Sequence, residues 1–136
     1  MKTVMVSGHF DPFHEIHLAY IKQAIQHGDN LICVVSSDKQ VLMKKGKVNI
    51  PEAGRKEIVD LILEGLRTWH LTTLNIWDKK TTLVAEALRG FKPDIFFRGG
   101  DKTLADMPPE ERKACEELGI KILHAKVEHD THGSGM

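Results

Sequence analysis

His14 and His17 stand three residues apart, directly after the string Gly8-His9-Phe10-Asp11-Pro12-Phe13. Residues at that spacing share one face of a helix, so both imidazoles point the same way. A helix N-terminus adds free backbone N–H groups and the positive end of the helix dipole. Gly8 lets a backbone approach a ligand without an intervening Cβ, and Pro12 fixes the chain on its way into the helix. Imidazoles, exposed amides and a glycine brought to one place make an anion site, above all for phosphate. Two histidines at i, i+3 on their own would be surface decoration or half a metal site; the whole string is what carries the reading.

Two further groups could serve the same chemistry. Lys44, Lys45 and Lys47 form a basic loop around Gly46, and Arg55 follows at the start of a helical stretch. Lysine offers phosphate a point charge and arginine a bidentate fork. Arg98-Gly99-Gly100-Asp101 closes an apolar run, where two glycines permit close backbone approach and a carboxylate suits a ribose hydroxyl or a base amine. The last residues include His129, Asp130, Thr131, His132 and Ser134, and they read as a polar tail rather than a metal site.

These groups need a scaffold, and apolar spacing supplies one. Thr3–Val6 is a buried strand, followed by a helix from about Glu15 to His27 with Gly28 as its stop. Leu31–Val35 is a continuous apolar strand of the kind covered on both faces. Ser36, Ser37 and Asp38 offer caps for a short helix through Met43. Glu52–Leu66 reads as a helix with Ile58, Val59, Ile62, Leu63 and Leu66 on its apolar face. A short strand is expected at Leu74–Trp77 and a helix over Thr82–Leu88 ending at Gly90. Asp94–Phe97 is the next strand; Pro108-Pro109 opens a helix that Gly119 ends; Ile120–Ala125 is the last strand. Alternating strands and helices imply a parallel sheet with helices on both faces. Ligands of such sheets bind beyond the C-terminal strand ends, where strand order reverses. The loops at 8–14, 36–47 and 98–102 all fall there.

Composition narrows the class. The chain has 136 residues, 41% hydrophobic and 28% charged, which suits one globular domain over 1–136 with a real core. Lys+Arg and Asp+Glu both total 19, so a formal net charge of zero argues against non-specific nucleic-acid or membrane-surface binding. No apolar run approaches the roughly 20 residues of a membrane span. The start lacks a signal-peptide pattern. Cys33 and Cys115 are too few for a disulfide framework. The expected place is the cytoplasm. No Gly-x-Gly-x-x-Gly follows the first strand, which argues against a dinucleotide-dependent oxidoreductase.

The string from Gly8 to His17 resembles the signature of the cytidylyltransferase-like nucleotidyltransferases. Family members usually read His-x-Gly-His, and this chain has Ile16 at the glycine position. The resemblance implies a single Rossmann-like, three-layer α/β domain with a five-stranded parallel sheet. It implies in-line attack of an acceptor phosphate oxygen on the α-phosphorus of a nucleoside triphosphate, with release of pyrophosphate. Catalysis of that kind is positioning and charge stabilisation. By the resemblance His14, His17, Lys44 and Arg55 are catalytic. Gly8, His9, Phe10, Asp11, Arg98, Gly99, Gly100, Asp101, Thr131 and Ser134 join the two histidines in binding nucleotide. Asp11, Asp38, Lys44 and Arg55 bind the acceptor. Thr131 and Ser134 stand in for a Ser/Thr-rich turn that is absent here. Mg²⁺ is expected to arrive with the triphosphate, with Asp11 as the one protein contact. Gly99-Gly100-Asp101 and the preceding Phe91-Lys92-Pro93-Asp94 resemble heptose-1-phosphate adenylyltransferases. The small size also suits glycerol-3-phosphate cytidylyltransferases, and a non-catalytic nucleotide-binding domain is the alternative from another class. Related enzymes are commonly homodimers, which is the expectation carried over here.

Overall fold

Strand residues alternate sides, and in this chain the alternation sorts them into two cores. Val4 and Val6, Leu31, Cys33 and Val35, and Ile95 and Phe97 pack on one face of the sheet with Ile21 and Ala24 from one helix and Val59 and Leu63 from another. Met5, Val34 and Phe96 point to the opposite face, where Val84, Ala87, Leu88, Ala114, Cys115 and Ile120 cover them. Both faces of the strands are therefore apolar, which is why they read as continuous runs.

The computed structural model describes residues 1–100 and 102–126. In chain order the elements are β1 (Thr3–Gly8), α1 (Glu15–Ala24), β2 (Asn30–Val35), α2 (Asp38–Lys45) and α3 (Glu52–Gly65). β3 (Trp69–Leu74), α4 (Ala85–Phe91), β4 (Ile95–Arg98), α5 (Pro109–Leu118) and β5 (Lys121–His124) follow. The five strands form one parallel sheet in the order β3-β2-β1-β4-β5. The fold is thus the α/β, Rossmann-like domain expected. Strand order reverses at β1, whose neighbours are β2 on one side and β4 on the other. β1 pairs with β2 along its whole length, from Thr3 opposite Asn30 to Gly8 opposite Val35. Its ladder with β4 holds only Val4 opposite Ile95 and Met5 opposite Phe96. Beyond that the two strands part.

Three elements lie elsewhere than the sequence suggests. The third strand is Trp69–Leu74, not Leu74–Trp77. Asn75 ends it: its side-chain oxygen accepts the N–H groups of Trp77 and Asp78 at 3.0 Å, turning the chain. The strand lies at the sheet edge with Trp69 78% exposed, so its apolar residues are not all buried and the pattern is weak. The fourth helix starts at Ala85 rather than Thr82, because Asp78 caps it from a distance by accepting the N–H groups of Glu86 and Ala87. It runs through Gly90 and stops at Lys92, which adopts a left-handed φ of 49°. The first helix tightens into a 3-10 turn over Ile25–His27. By contrast Gly119 is the left-handed cap of α5, as read.

Candidate active site

The loop after β1 folds around an aromatic side chain. Phe10 adopts a left-handed φ of 52° and buries its ring over Gly8. A Cβ at Gly8 would lie 2.9 Å from the tip of that ring. Gly8 is therefore needed for Phe10 to pack. Phe10 stacks on Phe13 with ring centroids 5.6 Å apart and meets the His17 ring edge-on at 5.1 Å. The aromatic pair holds that imidazole in place.

His14 caps α1, and its exposed ring accepts the N–H of Ile16 through Nδ1 at 3.3 Å. Its own N–H donates to Nδ1 of His17 at 3.2 Å. The two rings stack at 4.0 Å. Since each Nδ1 accepts from the backbone, the proton of each neutral ring sits on Nε2. The helix start thus carries a pair of Nε2–H donors beside its own free amides. His17 is held neutral: burial, then His14, Lys45 and His9, lower its pKa to about 4. Ile16 is 71% exposed, so it crowds nothing in the protein.

His9 lies beside them, with Nδ1 2.7 Å from the hydroxyl of Ser36 at the end of β2. Burial and the charges of Lys45, Arg55 and Lys44 lower its pKa, against a weaker pull from Asp11. Lys44 and Lys45 close α2, where Gly46 takes a left-handed φ of 83°. Of the two, Lys45 acts on His9, Asp11 and His17 alike, whereas Lys44 is felt at His9. Sequence reasoning favoured Lys44, and the charge of Lys45 is felt at more of these groups.

Arg55 departs from its expected role of gripping phosphate. It is 0% exposed. Its Nε donates to the Ile50 carbonyl, one terminal nitrogen to those of His9 and Ser36, and the other to Asp38, all at 2.7–2.9 Å. Four of its five N–H groups are thereby committed inside the protein. Asp38, expected to bind the acceptor, is the carboxylate in that clamp, and its N–H donates to Glu52. Asp11 is similarly occupied. It is 5% exposed, and its two oxygens accept the N–H groups of Asn49 and Ile50 at 2.8 and 2.7 Å. Burial pushes its pKa up, but those amides, with Arg55 and Lys45, bring it below the usual carboxylate range. Buried and with both oxygens engaged, it does not fit the Mg²⁺ contact the sequence suggested.

Across the fork in the sheet lie the residues after β4. Arg98 is buried and donates to the Thr103 carbonyl at 2.7 Å, 3.1 Å from Nε2 of His124. It shapes the loop after β4. Gly99 and Gly100 are part-exposed, and the Gly99 carbonyl accepts the Lys102 N–H. Asp101, Thr131 and Ser134 lie outside the described residues. One residue escaped the sequence reading altogether. Tyr20 sends its hydroxyl into the gap between β1 and β4, donating to the Phe97 carbonyl at 2.7 Å and accepting the Ser7 N–H at 3.3 Å. It is the single tyrosine and sits three residues after His17, so its helix face was legible even though its partner was not.

The cytidylyltransferase-like family profile matches residues 5–131 of this chain. The bifunctional protein HldE of Marinomonas sp. (strain MWYL1) is 34% identical over 127 residues, covering 90% of this chain and 24% of that protein. The bifunctional protein HldE of Pasteurella multocida (strain Pm70) is 30% identical over 128 residues, covering 90% and 25%. The chain thus spans about a quarter of the length of these curated relatives. Among solved structures, the lipopolysaccharide core biosynthesis protein from Thermoplasma volcanium GSS1 superposes with a TM-score of 0.67 at 26% identity, covering 94% of this chain and 97% of that one.

Proposed function

The chain belongs to the cytidylyltransferase-like family of nucleotidyltransferases, and from that premise we propose that it transfers a nucleoside monophosphate to a phosphorylated sugar. The observation that carries this is the stacked pair His14 and His17 at the start of α1. Both Nδ1 atoms are tied to backbone N–H groups, leaving Nε2–H donors where a sheet of this order binds ligands. An acceptor phosphate oxygen attacks the α-phosphorus of the triphosphate, the bond to the bridging oxygen breaks, and pyrophosphate leaves. The two Nε2–H groups, the α1 amides and Lys45 stabilise the charge that develops on the phosphate oxygens. Lys44 serves as a second cation at the rim. Mg²⁺ enters bound to the triphosphate, as part of the substrate. Arg55, Asp38 and Asp11 act by holding this constellation together.

ATP with a heptose-type sugar 1-phosphate is the first pair to test, on the strength of Gly99 and Gly100 after β4 and of the similarity to the HldE proteins. CTP with glycerol 3-phosphate is the second. No helix among the described residues is long and apolar enough to cross a membrane. We take the reaction to occur in the cytoplasm, where the triphosphates are, with no role for nucleic acid, and the working unit to be a homodimer, which sedimentation would reveal.

The test is pyrophosphate release with Mg²⁺, supplying ATP and CTP separately against a panel of sugar and polyol phosphates. One pair is expected to turn over, and His17→Ala to lower kcat by about 10²–10³-fold. Triphosphate binding without turnover on any acceptor would favour a non-catalytic nucleotide-binding domain. Absence of binding by either triphosphate would refute the proposal.

A further inference from the structure

A second cluster of ligating side chains lies on the outer edge of the sheet, apart from the imidazole pair. α3 carries Asp60 and Glu64 four residues apart, hence on one face. β3 carries His70 and Thr72 two residues apart, hence on one face of the edge strand. α3 packs against β3, and the Thr72 hydroxyl donates to Asp60 Oδ1 at 2.8 Å across the contact. His70 stands near the N-terminal end of β3, whereas the loops holding His14 and Lys45 leave the C-terminal strand ends. Nothing in the proposed reaction uses these residues.

Their arrangement asks for a cation. One ligand atom from each of Asp60, Glu64 and His70 lies within 4.8 Å of the others. The His70 ring is oriented from outside the cluster, with Nδ1 2.8 Å from the Thr68 carbonyl. A carbonyl only accepts, so Nδ1 carries the proton, and in the neutral ring Nε2 presents a lone pair. That lone pair faces Asp60 Oδ1 at 3.1 Å. Two acceptors that close repel each other unless a proton on Nε2 or a metal ion lies between them. A backbone carbonyl on the far nitrogen is the usual support of a metal-bound histidine, since it fixes both tautomer and ring orientation. Glu64 adds a second carboxylate on the same helix face, unfavourable there by itself, and it has no ion-pair partner among the described residues.

We propose that Asp60, Glu64 and His70 bind a divalent transition metal ion of the zinc class, which fastens α3 to the edge strand β3. One imidazole nitrogen and two carboxylate oxygens suit zinc better than magnesium or calcium, which prefer oxygen alone. Ligands around tetrahedral zinc sit about 3.3 Å apart, a spacing the His70 and Asp60 atoms already hold. The exposed Glu64 closes the third position by a side-chain rotation, and water takes the fourth.

The test uses the full chain without a histidine tag, stripped with EDTA. Zn²⁺ is titrated by calorimetry and Co²⁺ by its visible absorption, with thermal melting measured in parallel. A single equivalent is expected to bind and to raise Tm. His70→Gln and Glu64→Gln should each weaken binding roughly tenfold or more, while the His14→Ala/His17→Ala double variant binds as the parent does. Glu64 is exposed, so its substitution leaves the fold intact and keeps the result readable. No binding of either ion would overturn the proposal and leave His70 and Asp60 an ordinary ion pair. Binding that survives both single substitutions, or that disappears with the His14 and His17 rings, would overturn it as well.

Discussion

The two imidazoles at the start of α1 present Nε2–H donors, and His17 does so without a charge of its own. Their Nδ1 atoms are taken by backbone N–H groups, and burial with neighbouring positive groups keeps His17 neutral until about pH 4. This has a consequence for stability. In the unfolded chain the ring titrates near 6.5. Above that value both states are neutral, and the favourable burial of the neutral ring is fully present. As pH falls from about 6.5 to about 4, the unfolded chain takes up a proton that the folded protein refuses, so stability declines through that window. The urea midpoint should therefore drop between about pH 7 and pH 4.5, and drop less in His17→Gln. An equal drop in both proteins would place the pH dependence elsewhere. The motif that marks the site was readable from residue types. Which nitrogen faces the ligand was not, because that depends on backbone amides whose positions only the folded loop fixes.

At the scale of elements, the site rests on a buried clamp. Arg55, near the start of α3, joins the loop after β1 (His9), the end of β2 (Ser36), the segment before α3 (Ile50) and the start of α2 (Asp38). Asp11 repeats the connection from the other side by accepting the N–H groups of Asn49 and Ile50. Removing the guanidinium strands three carbonyls, that of Ser36 in a buried contact, and one carboxylate. Arg55→Met, which retains most of the apolar stem, should cost about 3 kcal/mol or more in urea unfolding. A loss below about 1 kcal/mol would show that the donors face solvent or ligand instead. Helix starts and stops marked by local chemistry, such as Ser37 capping α2 and Gly119 ending α5, could be read directly. β3 could not: its register comes from pairing with β2, and an edge strand with Trp69 and Leu71 exposed shows no buried period.

The molecule as a whole is a sheet that opens at one point. β1 and β4 pair for two residues and then diverge, and the site forms on the β1 side of the opening. The Tyr20 hydroxyl bridges the strands where the ladder stops, meeting one donor of β1 and one acceptor of β4. Burial raises the Tyr20 pKa, so the phenol stays protonated and able to donate. Tyr20→Phe leaves Ser7 N–H and the Phe97 carbonyl without a protein partner and should cost about 1–3 kcal/mol. Far-ultraviolet circular dichroism should remain unchanged and the denaturation midpoint should fall; an unaltered midpoint would mean that water replaces the hydroxyl without loss.

The sequence by itself determined the layered α/β class, the parallel sheet and the place of the imidazole pair. These follow from local quantities: apolar runs of strand length, helical spacing, capping residues and a dense motif spanning 8–17. Tertiary structure alone decided the division of labour among the polar residues around that motif. The charge of Lys45 is felt at His17 as well as at His9, and Arg55, Asp11 and Asp38 turn inward to hold loops together. Gly8 makes room for Phe10. Types and spacing say which residues are able to bind phosphate. Whether a charged side chain meets a ligand or a buried carbonyl depends on which backbone groups the fold leaves unpaired beside it, and those belong to segments as far as 46 residues away.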